Sequence, residues 1–260
     1  MGVAGAALAT IIAQGVSAVL TTWLLIKTSG LNLQGIVHPD PMILKNELCI
    51  GIPYGFEWTM YNLPNMIVQT GINSYGTDAL AAWAAYWKID GVFWMICGSV
   101  GVTVTTFSGQ NYGAGNIKRV RRGIRGVSAI IIVLTICYSA TVIKIAAPLM
   151  RIFVADENVI STGVYMISVM MPWYFLYVPI EILTAGLRGM GDVIKPLFIT
   201  IFGICIVRTV WVIVSERLFH EMYYILINYP FTWLITSAMF VIYYVFRMNR
   251  IDGKKEKIWA

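Results

Sequence analysis

Charge is what this sequence has least of. Of its 260 residues only 12% are Asp, Glu, Lys or Arg, while 58% are hydrophobic. A soluble domain carries about 25% charged and roughly 45–50% apolar residues. The shortage therefore excludes a freely soluble globular chain and points to an integral membrane protein. Histidine is almost absent (His38 and His220), and neither His-Glu-x-x-His nor Gly-x-Ser-x-Gly occurs. That removes the usual metal and nucleophile constellations of an intramembrane hydrolase, so no enzyme, no metal site and no organic cofactor are expected. The four cysteines, Cys49, Cys97, Cys137 and Cys205, lack the spacing of a disulfide framework or a zinc site and are expected to be small buried filler. No Lys or Arg precedes Lys27, so a signal-peptide n-region is missing, and Ala6 stands where a myristoylation motif wants Ser or Thr. The chain opens inside an apolar segment. The net charge of +6 is no nucleic-acid footprint, because most cations sit in short loops beside apolar runs, where lipid head groups account for them.

What is present is a series of apolar runs long enough to span a bilayer, at about 20 residues each. Seven are expected, over 3–26, 50–72, 79–105, 127–147, 159–187, 193–214 and 223–246. The fold class is thus all-α and integral to the membrane. Between the first two runs, His38-Pro39-Asp40-Pro41 offers Asp40 as an N-cap and Pro41 as a first helical residue. A short helix on the membrane surface, ended by Gly51 and Pro53, and an irregular loop are the two readings of that stretch. His38 reads as a solvated loop residue.

Between the third and fourth runs lies a Gly-punctuated loop, Gly109-Gln-Asn-Tyr-Gly-Ala-Gly-Asn116, leading into Lys118, Arg119, Arg121, Arg122 and Arg125. Placing it in the cytoplasm and alternating outward also puts Lys27, Lys45, Arg188, Lys195, Arg247, Arg250, Lys254, Lys255 and Lys257 there. Arg151 and Arg217 alone fall on the other side, while Lys88, Lys144 and Arg208 lie within runs. This asymmetry, under the positive-inside rule, makes the carboxyl terminus cytoplasmic in a multi-pass cell-membrane protein.

Charges within spans are costly and are functional candidates by default. Glu57 and Glu181 are the sole acids of the second and fifth runs. Tyr61 follows Glu57 by four residues and Tyr177 precedes Glu181 by four, which puts each pair on one helix face, with Tyr174 a turn beyond. Two such faces at one depth suit a polar cavity for a proton, a Na⁺ or an organic cation; the competing reading is that each acid snorkels to the interface or caps a neighbour. Deeper lie Lys88, Asp90 and Arg208. An Asp90–Arg208 ion pair is the favoured structural reading and a switched pairing the functional one. Pro172 and Pro179 interrupt the fifth run and Pro64 the second, freeing the carbonyls of Ser168, Phe175 and Met60. Freed carbonyls can coordinate an ion, or the prolines simply bend the helices.

Several segments in register carry a resemblance. They are Gly51-Ile-Pro-Tyr-Gly-Phe-Glu57, Gly76-Thr-Asp-Ala-Leu-Ala-Ala-Trp83, Lys88-Ile-Asp90, the Gly109–Asn116 loop and Leu187-Arg-Gly-Met-Gly-Asp192. In order and placement they resemble the second half of a multidrug and toxic compound extrusion (MATE) transporter. The resemblance implies two six-span lobes around a central cavity and exchange of organic cations for H⁺ or Na⁺. It also implies roles in the family's cytoplasmic loop motifs for Gln110, Gly113, Gly115, Arg188, Gly189, Gly191 and Asp192. Some members carry an acid one turn beyond the position of Glu57, where Tyr61 stands here. Because Gly2–Thr10 resembles the family's sixth helix, residues 1–49 correspond to the last helix of an N-terminal lobe and an interlobe loop. Residues 50–246 correspond to the six-span lobe and 247–260 to a basic tail. Ion coupling then falls to Glu57, Glu181 and Asp90, and the substrate cavity to Tyr61, Tyr174, Tyr177, Lys88 and Arg208. The expected partners are the bilayer, small organic cations and the missing N-terminal lobe. Competing expectations are a non-transporting membrane subunit, an inert fragment, and a lipid-linked sugar flippase, whose cavity should be more basic.

Overall fold

The apolar runs fold into helices whose ends are set by caps and glycine turns. The computed structural model describes residues 2–29, 40–219 and 221–259, with side chains described to residue 251 apart from positions 2, 3, 6, 29 and 58. His38 and His220 lie outside the described residues, as do the side chains of Lys254, Lys255 and Lys257. The elements are α1 (Gly2–Ser29), α2 (Pro41–Asn73), α3 (Thr77–Gly113), α4 (Ile117–Lys144), α5 (Ala146–Arg151) and α6 (Glu157–Met170). They continue with a 3₁₀ segment (Met171–Leu176), α7 (Val178–Gly189), α8 (Ile194–Thr200), a π segment (Ile201–Ile206), α9 (Val207–Leu218), α10 (Met222–Leu226) and α11 (Asn228–Trp259). No strand occurs among the described residues. Two compact units result, Met1–Cys49 and Ile50–Ala260.

Six stretches of the described residues are long and apolar enough to cross a membrane: Ala7–Thr28, Thr77–Gly113, Ile117–Lys144, Glu157–Gly189, Ile194–Leu218 and Met222–Ile251. The seventh expected span, in α2, has the length at 33 residues. Its apolar character is diluted by Glu57, Asn62, Asn65 and Gln69. The start of α2 is set by Asp40, whose Oδ1 accepts from the Met42 N–H at 2.8 Å. The expected end at Gly51 and Pro53 is wrong. The helix runs from Pro41 through both Pro53 and Pro64 to Asn73, so no separate surface helix forms. A proline costs a helix only one hydrogen bond, which neighbours can make good in a membrane bundle.

The two glycine motifs prove to be the same device. At the end of α3 the Asn116 N–H reaches the Asn111 carbonyl at 2.8 Å and the Gly115 N–H reaches Tyr112 at 2.9 Å. At the end of α7, Asp192 reaches Leu187 and Gly191 reaches Arg188, both at 2.9 Å. These paired bonds form a Schellman cap, which needs a left-handed residue; Gly115 and Gly191 supply it with φ of 73° and 77°. The helices that carry the caps touch backbone to backbone, since a Cβ on Gly189 would lie 2.3 Å from the Thr105 carbonyl oxygen. Both caps therefore share one end of the unit.

In the Ile50–Ala260 unit, α3 packs chiefly on α7 and α6, with α11 and α4 closing over α7. Tyr86, Tyr174, Trp233 and Phe240 are fully buried at its centre. Cysteine departs from expectation. Cys97 is buried, but Cys49 and Cys137 are exposed, and all four are free thiols; an exposed thiol on a lipid-facing helix has no desolvation to avoid.

Gly189→Ala should lower the melting temperature of the detergent-solubilised protein by the equivalent of about 1–3 kcal/mol, the range of core overpacking. Gly98→Ala, where an added Cβ meets nothing within 4 Å, should melt with the parent. Equal melting of all three would refute the close contact.

Candidate functional site

The acids expected from the sequence fall into two linked groups. Asp90, on α3, is 3% exposed. Its Oδ2 accepts from the Trp94 indole N–H at 2.5 Å. Its Oδ1 accepts from the Tyr174 hydroxyl of the 3₁₀ segment, which is itself bonded to the Tyr86 hydroxyl. The expected Asp90–Arg208 ion pair does not exist. Arg208, equally buried, donates from Nη1 to Asn65 Oδ1 and from Nη2 to Thr232 Oγ1, both at 3.1 Å. Its guanidinium lies 4.3 Å above the Tyr229 ring, and its Nε has no partner. Each group finds neutral partners in its own surroundings, two for Asp90 and two for Arg208, which replace a long charge pair. Lys88 also departs from the cavity expected for it. Its side chain is exposed and its ammonium sits 5.4 Å from the Phe153 ring, because two residues along a helix turn it away from Asp90.

The second group joins α2 to α7. Glu181 Oε2 accepts from the Tyr177 hydroxyl at 3.0 Å, across one helical turn. Its other oxygen lies over Gly101 of α3, where a Cβ would come within 2.2 Å. Tyr61 interacts with Tyr177, Glu57 and Glu181. Glu57, 6% exposed, uses neither tyrosine as its main support. Its Oε1 accepts from Thr200 at 3.0 Å, and its Oε2 lies 3.6 Å from Arg188 Nη2. Arg188 in turn lies 3.6 Å from the centroid of the Tyr54 ring. Between them is a narrow crevice, without room for a water molecule, lined by Tyr54, Glu57, Thr184, Arg188, Asp192 and Pro196, and the buried Thr184 hydroxyl has no partner. Asp192 is held by Tyr243 at 2.5 Å and by Arg247 Nε at 3.1 Å. The remaining loop-motif residues serve the caps: the Gln110 carbonyl accepts from the Ala114 N–H at 3.1 Å, and Gly113 stands in open space.

Aromatic rings connect the groups. The Trp94 ring, bonded to Asp90, meets Tyr177 edge-on at 4.6 Å, and Trp233 packs against Trp94, Tyr174 and Tyr177. The Met60 carbonyl freed by Pro64 is taken by the Cys205 thiol at 3.1 Å, so that carbonyl serves packing. Residues missed from sequence include Thr200, Trp94, Tyr86, Asn65, Tyr229, Thr232 and Trp233. Tyr86 and Trp94 stand four residues either side of Asp90, and Asn65 four after Tyr61, so their spacing was a usable signal. Thr200 and Thr232 gave none.

These features define an all-helical, multi-pass membrane unit with three acids gathered around a broken helix. The chain belongs to the MatE family, which it matches over residues 53–214. It is 26% identical over 216 residues to the probable multidrug resistance protein NorM of Thermotoga maritima, covering 80% of this chain and 45% of that protein. It is 23% identical over 215 residues to the probable multidrug resistance protein YoeA of Bacillus subtilis, with the same coverage. The chain thus spans about half the length of the curated relatives it matches. In fold it resembles a Pyrococcus furiosus MOP superfamily transporter described as having reversed pocket polarity, at TM-score 0.89 and 17% identity, covering 97% of this chain and 57% of that one. It likewise resembles a point mutant of the Vibrio cholerae MATE transporter VcmN, at TM-score 0.87 and 16% identity over 96% of this chain and 57% of that one. The proteins matched are transporters, not enzymes.

Tyr174→Phe leaves the Asp90 carboxylate with one donor and the Tyr86 hydroxyl without its partner. Loss of a buried donor to a charged group costs about 1–3 kcal/mol, to be read as reduced thermal stability. Trp173→Phe, at a 43% exposed position, is the control, and matching losses in both variants would contradict the Asp90 assignment.

Proposed function

We propose that this chain contributes a six-span lobe, with one further helix, to a secondary efflux transporter that exchanges H⁺ or Na⁺ for organic cations. The observation that carries the reading is the unused acceptor capacity of Glu181. A carboxylate has about four acceptor positions. Glu57 is engaged by Thr200 and Arg188, and Asp90 by Tyr174 and Trp94. Glu181 has the Tyr177 bond alone and no ion pair among the described residues. Sited after the break in a membrane helix, such an acid is suited to take a cation.

Exchange follows from occupancy. An oxygen that holds a proton or Na⁺ cannot at the same moment serve as counter-ion to a cargo ammonium, so the two compete for Glu181. Trp94, part-exposed and packed against the Tyr177 ring, offers ring surface to a flat organic cation. Glu57 and Arg188 lie within electrostatic reach of Glu181, so their pairing tunes the competition. A second lobe, on this or another chain, faces this one across the cavity, consistent with the half-length match. The positive-inside distribution supports a cytoplasmic carboxyl terminus. No organic cofactor takes part, and the bilayer and small organic cations are the remaining partners.

In proteoliposomes of the protein assembled with its second lobe, Glu181→Gln should abolish gradient-driven flux of a fluorescent organic cation. Glu157→Gln, which removes only the exposed pair with Arg151, should leave it intact. Undiminished flux in Glu181→Gln would end the coupling proposal.

A green fluorescent protein fused after Ala260 should fluoresce and alkaline phosphatase there should be inactive. The reverse pattern would place that terminus outside.

A further inference from the structure

Four cations on α4 have no place in the site described. Lys118, Arg121, Arg122 and Arg125 follow the i, i+3, i+4, i+7 spacing and so form one stripe, about 10 Å long. With Ile117 and Gly126 they line a recess of about 630 Å³. No Asp or Glu among the described residues lines it. Lys118, Arg122 and Arg125 are exposed, and Arg121 and Arg125 lie within electrostatic reach of Tyr244 on α11.

Physically this arrangement is unfavourable as it stands. Like charges at i, i+4 repel, and cations in the first turns of a helix oppose its dipole. An anion in the recess would relieve both terms. The same helix face continues into the membrane as exposed apolar surface, with Val133 at 59% and Ile136 at 51% exposure. Eleven and eighteen residues from Arg122 and Lys118, these two return to the angular position of the stripe at 3.6 residues per turn. One face therefore offers cations at one end and a lipid-facing apolar track beyond them.

We propose that this recess is a binding site for the head group of an anionic phospholipid, whose acyl chains lie along the Val133–Ile136 face of α4. Charge complementarity selects the anion, and continuity with the apolar face selects a lipid over a soluble phosphate.

The test uses the full chain, delipidated in detergent and titrated with phosphatidylglycerol, phosphatidylcholine or inorganic phosphate, with bound lipid counted by native mass spectrometry. Phosphatidylglycerol should bind more tightly than phosphatidylcholine, and inorganic phosphate should not displace it. The double variant Arg122→Gln/Arg125→Gln should weaken phosphatidylglycerol about thirtyfold, at about 1 kcal/mol per cation. It should leave phosphatidylcholine binding unchanged, which also reports that the variant is folded. Arg122→Lys/Arg125→Lys should retain most of the affinity. Equal binding of the two lipids, an unaltered double-Gln variant, or displacement by inorganic phosphate would each overturn the lipid site.

Discussion

A carboxylate taken out of water must find donors, and within a bilayer it finds them one turn away on its own helix or on neighbouring helices. Three such acids sit inside this unit, and the partners they need tie its segments together. Asp90 joins α3 to the 3₁₀ segment through Tyr174, and Glu57 joins α2 to α8 through Thr200 and to α7 through Arg188. Glu181 lies against Gly101 of α3. Moving α3 or α2 by a turn would cost Asp90 its Tyr174 donor or Glu57 its Thr200 donor.

The interruptions of regular helix lie where those donors are delivered. Pro172 opens the 3₁₀ segment that presents Tyr174, and Pro179 lies in the first turn of α7, two residues before Glu181. The π segment begins just after Thr200 and includes Cys205, whose thiol takes the carbonyl released by Pro64. Gly203, in that segment, leaves room for Thr236, since a Cβ there would lie 2.1 Å from the Thr236 hydroxyl. Breaks of this kind recur at functional sites because they re-aim side chains that a straight helix would send elsewhere.

Much of this was legible beforehand, for local reasons. Helix existence followed from apolar runs, and the Tyr177–Glu181 contact followed from a four-residue spacing. The same spacing rule, applied around Asp90, marks Tyr86 and Trp94. What could not be read was any pairing between segments. Asp90 and Arg208 invited an ion pair by sign and depth, yet each found neutral partners, because the helices present Tyr174 to one and Asn65 and Thr232 to the other. Lys88 invited inclusion by its position along the helix, yet its direction put it against Phe153.

The sequence alone determined the class of molecule, an all-helical membrane protein, and which residues would be costly to bury. It did so because hydropathy, charge and helical period are properties of neighbours along the chain. The tertiary structure decided which acid remains open. Glu57 and Glu181 are equivalent in the sequence, each an isolated acid with a tyrosine one turn away. Only the arrival of Thr200 and of Arg188 at bonding distance from Glu57, with no cation that close to Glu181, separates them. That difference arises from helix packing, since donors more than a hundred residues away along the chain can meet a carboxylate only through the fold.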